Sequence, residues 1–173
     1  MTARKSIRPL GGEEETQRIL RHWHEAVPND RLAHLVKDAS RAFVRALKER
    51  LDLHGVPFGH WTFLRILWEA DGLTQRELST EAGVMEPTTH VALNAMEALG
   101  YIRRRRRSTN RRNVHVYLTA KGRALKSTLV PLAEDVNRIG VDGIDTDDVA
   151  TARRVLVAII DNLARSEAVA TKR

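Results

Sequence analysis

The stretch from Leu73 to Thr119 constrains this chain more than any other, because it sets two helix signals, a tight connection and an arginine-laden ribbon in direct succession. Thr74 and Glu77 have capping-box spacing, in which each side chain satisfies a backbone N–H of the other residue at a helix start. Leu78 and Ala82 supply the apolar side of that helix, and Gly83 can end it in a left-handed conformation. A second helix opens around Met85 and Glu86, with Pro87 in its first turn, where a missing N–H costs least. Thr89, Ala92, Leu93 and Met96 recur at helical spacing and define its buried face. The opposite face carries Pro87, Thr88, His90, Val91, Asn94 and Ala95, with almost no bulk between the helix and whatever it docks on. Gly100 ends the helix, and Tyr101 and Ile102 begin a strand.

Two uses suit such a face. Asn can pair bidentately with adenine, Thr and His can bond to base edges, and Val or Ala can touch a thymine methyl, so the face fits a DNA major groove. It could equally pack against a neighbouring element. The next residues favour DNA. Arg103 to Arg107 is an unbroken arginine run, followed by Ser108-Thr109-Asn110 and by Arg111-Arg112. Asn113 to Thr119 returns as a strand, with Val114, Val116 and Leu118 on one face and His115 and Tyr117 on the other. Two strands around a polar turn make a hairpin, and arginine at its tip can enter a narrow minor groove. The candidate DNA contacts are Pro87, Thr88, His90, Val91 and Asn94 on the helix. On the hairpin they are Arg103, Arg105, Arg107, Asn110, Arg111 and Arg112.

This stretch resembles the winged helix-turn-helix of the MarR family of bacterial transcription regulators. The matching residues are Leu73-Thr74-x-x-Glu77-Leu78, Ala82-Gly83-Val84, Pro87-Thr88-Thr89, Glu97-x-x-Gly100-Tyr101-Ile102, the arginine-rich wing and Leu118-Thr119-x-x-Gly122. With flanking helices the resemblance covers roughly residues 30–166. It implies a mainly α fold with a small β-hairpin wing, a helical dimerisation region, and a homodimer bound to a double-stranded operator. One departure stands out: the family usually places an aspartate just before the wing arginine, as a brace, and here that position is Asn110. The arginine run is also more basic than the family norm, which gives phosphate attraction a larger share of the affinity.

The rest of the chain fits around this unit. Residues 1–12 are basic and aperiodic and are expected to form a tail. Glu13–Ala26 forms a short helix ended by Pro28, so that residues 1–29 are an N-terminal arm. Within it His22-Trp23-His24 lacks the spacing of a helical metal pair, and Trp23 is expected to pack on the body or across a dimer. Asn29 or Asp30 caps a helix to about His54, with an apolar stripe of Leu32, Leu35, Val36, Ala39, Phe43, Ala46, Leu47 and Leu51. Phe58–Ala70 is a helix with Trp61, Leu64, Leu67 and Trp68 inward, and Asp71-Gly72 turns the chain into the DNA-binding unit. Thr119 caps a helix to Gly140 that Pro131 should kink or divide. Asp145 or Thr146 opens a last helix to about Glu167, apolar at Val149, Ala152, Val155, Leu156, Ile159, Ile160 and Leu163, followed by a tail over 168–173. The expected organisation is therefore a dimerisation region over 30–56 and 120–167 around a DNA-binding domain over 57–119.

Composition narrows the function. A net charge of +7 favours an anionic partner. With no cysteine there is no disulfide and no thiol redox sensor. No apolar run reaches membrane-spanning length and no secretory signal is present, so a cytoplasmic protein is expected. The sequence has no Gly-rich phosphate loop, serine elbow or HExxH, which argues against an enzyme, a cofactor or a metal site. The competing DNA-binding class is an architectural protein that answers to no ligand. An effector is suggested by the family resemblance, which places one between the dimerisation helices and the DNA-binding lobe. The matching segments carry Arg41, Phe43, Arg45, His60, Trp61 and Arg65, a set suited to a planar aromatic acid. Phe58-Gly59-His60-Trp61 also resembles regulators that answer to hydroxycinnamoyl-CoA thioesters, for which Arg31, Arg41 and Arg45 are sensible partners. The alternative is that Phe43 and Trp61 are core and the arginines solvated.

Overall fold

The computed structural model describes residues 12–25, 32–107 and 110–170, with side chains at 14–25, 32–106 and 114–167. The tail over 1–11, Pro28, the Asn29/Asp30 cap, Arg31 and the Ser108-Thr109 turn lie outside the described residues, as do the side chains of Arg107, Asn110, Arg111 and Arg112. Among the described residues seven helices and one hairpin follow in order: α1 Gly12–Glu25, α2 Leu32–Asp52, α3 Phe58–Glu69, α4 Gln75–Ala82, α5 Glu86–Ala98, β1 Ile102–Arg107, β2 Asn110–Leu118, α6 Ala120–Gly140 and α7 Thr146–Ala170. Contacts divide the chain into two units, Met1–Ala133 and Glu134–Arg173. The mainly α architecture with a small antiparallel hairpin is the one expected from the sequence.

In the first unit the core is mainly aliphatic, with Trp61, Phe63 and Tyr101 among it. Leu64 and Leu67 of α3, Leu78 of α4, Leu93 and Met96 of α5, and Ile102, Val116 and Leu118 of the hairpin are all buried. They share one cluster with Leu51 and with Leu129 of α6. Trp61 packs edge-on to Trp68, and the Trp68 indole N–H donates to the Gly122 carbonyl at 3.0 Å. On α1, Trp23 donates to Asp38 of α2 at 3.1 Å, so within the chain this indole holds the arm to the body. Arg45 of α2 adds a bond to Thr16 and an ion pair with Glu15. Among the described residues no helix is long and apolar enough to cross a membrane.

The hairpin is rooted where α5 ends and α6 begins. Thr119 caps α6: its hydroxyl accepts the Gly122 N–H at 3.1 Å and donates to the Gly100 carbonyl at 2.6 Å. The Thr119 N–H donates to the Tyr101 carbonyl. Gly122 is required because a Cβ there would stand 2.0 Å from the Tyr101 carbonyl oxygen. At the other junction Gly72 adopts φ +89°, with the Tyr117 ring where a Cβ would be. Val116 N–H then bonds to the Leu73 carbonyl, and Asp71 accepts from the Leu118 N–H at 2.8 Å. The turn into the DNA-binding unit is thus tied to β2, with an isolated antiparallel bridge between Thr74 and His115.

The second unit comprises the end of α6 and α7. Asp145 caps α7 by accepting the Asp147 N–H at 2.7 Å. Two expectations need correction. Pro131 does not divide α6, which continues through it as one helix. The last helix runs to Ala170, so 168–170 are not part of a tail; no proline or glycine interrupts the run after Leu163. Within the single chain Val155, Leu156, Ile160 and Leu163 remain exposed by 41–68 %.

Replacing Gly122 by alanine should cost roughly 1–3 kcal/mol or more, as overpacking against a backbone carbonyl that cannot retreat. Gly59 is the control: it is exposed on α3, and a Cβ added there would meet nothing within 4 Å. Gly59→Ala should therefore stabilise by roughly 0.5–1 kcal/mol. Urea midpoints of the two variants against wild type check both signs.

Candidate nucleic-acid interface

Local chemistry places α4 and α5. Thr74 and Glu77 form the full capping box: the Thr74 N–H donates to Glu77 Oε2 at 2.7 Å, and Thr74 Oγ1 accepts the Glu77 N–H at 3.3 Å. Gly83 ends α4 at φ +64°, left-handed as expected. α5 starts with Pro87 in its first turn. Between the two helices lies a buried hydroxyl pair that the sequence reading missed. Ser79 Oγ stands 2.9 Å from both Thr89 Oγ1 and the Gln75 carbonyl, and Thr89 hydroxyl reaches the Met85 carbonyl at 3.4 Å. Both hydroxyls are satisfied without water, which fixes the crossing of α5 on α4. A serine directly beside the buried Leu78 was the available signal.

The outward face of α5 is the one expected. Pro87, Thr88, His90, Val91, Asn94 and Ala95 are all exposed, Val91 by 69 %. Thr89, Leu93 and Met96 are buried, and Ala92 is half-buried. Side chains on the outward face are nevertheless ordered by bonds among themselves. Arg104 donates from Nη2 to Asn94 Oδ1 at 2.7 Å. Asn94 Nδ2 lies 3.1 Å from His90 Nε2, and His90 Nδ1 lies 3.3 Å from Gln75 Oε1. Asn94 and His90 therefore act as a pair joined to α4 and to the wing.

β1 and β2 pair antiparallel, with Ile102 opposite Leu118, Arg104 opposite Val116 and Arg106 opposite Val114. The strand period turns Ile102 and Arg104 to the side of Val116 and Leu118, and Arg103 and Arg105 to the other side. Arg103, Arg105 and Arg106 are exposed. Arg104 is not: its side chain is 22 % accessible, its Nε lies 3.7 Å from Glu97 Oε2, and its backbone N–H donates to Glu97 Oε1 at 2.9 Å. That Nε–H is buried with no hydrogen-bond partner among the described residues. Among the wing arginines with described side chains, Arg104 is the one turned toward α5. Backbone pairing of Arg107 with Asn110 completes the described hairpin, with a register irregularity between Arg106 and Arg107.

The residues expected around an effector do not together line either of the two cavities that Arg41 and Arg65 reach. Trp61 and His60 are buried, Trp61 within the core cluster. Phe43 is 38 % exposed, and Arg45 is engaged with α1. Arg41 lines a cavity of about 310 Å³ between α1 and α2, together with Glu15, Arg18, Ile19, His22 and Asp38. Arg65 lines a different cavity of about 330 Å³ between α3 and α4, with Ile66, Glu69, Ala70, Leu73 and Glu81. Among the described residues no cluster of His, Asp or Glu could hold a metal ion.

A two-helix unit with a small-residue outer face, backed by a hairpin that exposes arginines, defines a winged helix-turn-helix DNA-binding protein. The chain belongs to the MarR family of transcription regulators, whose family model matches residues 54–113, and it is a DNA-binding regulator of that family. It is similar to the HTH-type transcriptional regulator TtmR of Methylorubrum extorquens (strain PA1), at 31% identity over 161 residues, which cover 93% of this chain and 73% of the relative. The solved transcriptional regulator PA3341 is 32% identical, with a TM-score of 0.70 over 78% of this chain and 99% of that one. BpsR of Bordetella bronchiseptica, whose DNA binding is regulated by 6-hydroxynicotinic acid, shares the fold at 18% identity and a TM-score of 0.69, over 79% of this chain and 97% of that one. These relatives are regulators and not enzymes, in agreement with the sequence reading.

The buried His60 generates a pH prediction. Its Nδ1 has no hydrogen-bond partner among the described residues, and burial lowers its pKa below the ordinary 6.5 by disfavouring the imidazolium. The unfolded chain then binds a proton that the folded chain refuses. The stability contributed is fully present above the unfolded pKa and is lost as pH falls through the lowered folded value. Urea midpoints between pH 8 and 5 should fall more steeply for wild type than for His60→Gln, and parallel curves would assign the slope to other groups.

Proposed function

We propose that this regulator is a ligand-responsive repressor that binds a pseudo-palindromic operator as a homodimer. The observation that carries the reading is the outer face of α5, open along its length and flanked by the exposed Arg103, Arg105 and Arg106 of the wing. On this reading Pro87, Thr88, His90, Val91 and Asn94 meet base edges, and Arg103, Arg105 and Arg107, with Asn110, Arg111 and Arg112, meet phosphates or the minor groove. Exposed apolar residues on α2 (Leu32, Leu35, Val36) and on α7 support a second copy as their cover, since monomers rarely expose such stripes. Two recognition helices would then read half-sites about one helical turn, ~10 bp, apart.

Release of DNA requires an effector with higher affinity for the DNA-free conformation. A small aromatic acid or its CoA thioester is the proposed class. Arg41 and Arg65 each offer a cation at the wall of a cavity, and DNA binding by BpsR, which shares the fold, is regulated by 6-hydroxynicotinic acid. Coupling of ~1–3 kcal/mol would weaken DNA binding roughly 5–150-fold.

Four measurements test this reading. Analytical ultracentrifugation should find a dimer at micromolar concentration, and a stable monomer would sink the half-site geometry. Asn94→Ala should cost roughly 1–3 kcal/mol on a duplex selected from a random library and little on random DNA; with about six phosphates neutralised, log K against log[salt] should slope near −5. Finally, aromatic acids and their CoA thioesters are titrated against the complex with Arg41→Ala and Arg65→Ala beside wild type. The variant at the occupied cavity should need more ligand for release. If both respond like wild type the placement is wrong, and if nothing releases the DNA an architectural binder is the better description.

A further inference from the structure

We infer that Arg104 is a positioning residue for sequence reading: it fixes the hydrogen-bonding polarity of Asn94 and His90 on the recognition helix. The inference rests on the reading of α5 as the base-contacting element. It starts from the difference between Arg104 and its neighbours. In a run of five arginines, this one alone among those with described side chains is turned under α5, held by both oxygens of Glu97. Its guanidinium can only donate.

That one-way chemistry propagates. Facing a donor at 2.7 Å, the Asn94 amide must present Oδ1 to Arg104, because a flipped amide would set N–H against N–H. Its Nδ2 is then the group that meets His90 Nε2 at 3.1 Å, so Nε2 must accept. The imidazole proton is left on Nδ1, where it donates to Gln75 Oε1 at 3.3 Å. Every bond in the series Arg104, Asn94, His90, Gln75 points the same way, and its polarity originates at the wing.

The consequence concerns specificity. Asn94 can pair bidentately with adenine, through the second lone pair of Oδ1 and the second N–H of Nδ2, only if its oxygen and nitrogen lie on the correct sides, and both ring nitrogens of His90 are spent in holding that amide in place. Without Arg104 the amide can rotate by half a turn and both tautomers become accessible. The helix would still dock, since its buried face and the exposed wing arginines are untouched, but it would discriminate less between bases.

The test uses the full-length protein, with Arg104→Met and Arg104→Lys beside wild type. Long-range nitrogen–proton correlation spectra of the DNA-free protein report the His90 tautomer. Wild type should show one tautomer, with the proton on Nδ1, and Arg104→Met a mixture; Arg104→Lys, which still donates, should restore the single form. A wild-type proton on Nε2, or an unchanged tautomer in Arg104→Met, overturns the inference. Fluorescence anisotropy then compares a library-selected duplex, its single-base variants and random DNA. Arg104→Met should lose about tenfold in discrimination while keeping its affinity for random DNA and its salt slope. Equal losses on all duplexes, with a slope shallower by about one, would make Arg104 a phosphate contact and overturn the inference. Asn94→Ala separates the two readings. If it leaves discrimination intact, α5 is not the reader. If it abolishes discrimination while Arg104→Met does not, only the role of Arg104 fails. Should Arg104→Met not fold, Arg104→Gln takes its place: its amide can donate or accept, so it no longer fixes the polarity, and a single tautomer or wild-type discrimination there would overturn the inference.

Discussion

The DNA-binding lobe depends on one side chain at the root of its hairpin. Thr119 takes the Gly122 N–H, gives its own proton to the Gly100 carbonyl and bonds through its backbone to Tyr101. The exit of α5, the first residue before β1, the end of β2 and the first turn of α6 are thereby joined at one point. α3 reaches the same point through Trp68 and the Gly122 carbonyl, and Asp71 joins through the Leu118 N–H. Because Gly122 lies against a backbone carbonyl, the junction tolerates no side chain there. The direction in which the wing leaves the body is set by these bonds, well below the arginines that use it.

From that root the ribbon carries two different electrostatic functions on its two faces. Arg103 and Arg105 stand out to solvent, free to meet a polyanion whose attraction is long-range and needs no fixed orientation. Arg104 faces inward to Glu97 and Asn94, where short distances and fixed donors matter more than charge. A strand period of two is enough to separate the two uses within consecutive identical residues. The wing thus turns exposed cations to one side and a hydrogen-bonded support for the neighbouring helix to the other.

The apolar faces of α2 and α7 pose a different physical problem. Burying them within a single chain would require elements that the described residues do not supply, and exposed stripes of this size favour association. The DNA-binding lobe, by contrast, has a core shared by its helices and the hairpin. The chain thus combines a lobe that packs on itself with helices whose apolar sides remain available for a partner.

What the sequence determined by itself was local. The capping box of Thr74 and Glu77, the left-handed stop at Gly83, the buried and open faces of α5 and the alternation of β2 all rest on spacings of two to four residues, over which backbone geometry leaves few choices. The matched motif extended this to the winged-helix family. Tertiary structure decided what joins residues far apart in the chain: the Ser79–Thr89 hydroxyl pair, the brace of Asp71 on Leu118, the turn of Arg104 toward Asn94, and the separation of Arg41 and Arg65 into different cavities. An arginine within an arginine run looks like its neighbours until a strand register and a facing helix give it an address. Likewise, cations and aromatics that read as one ligand set along the sequence belong to one pocket only if their helices converge, and helix packing, which no local spacing encodes, set them apart.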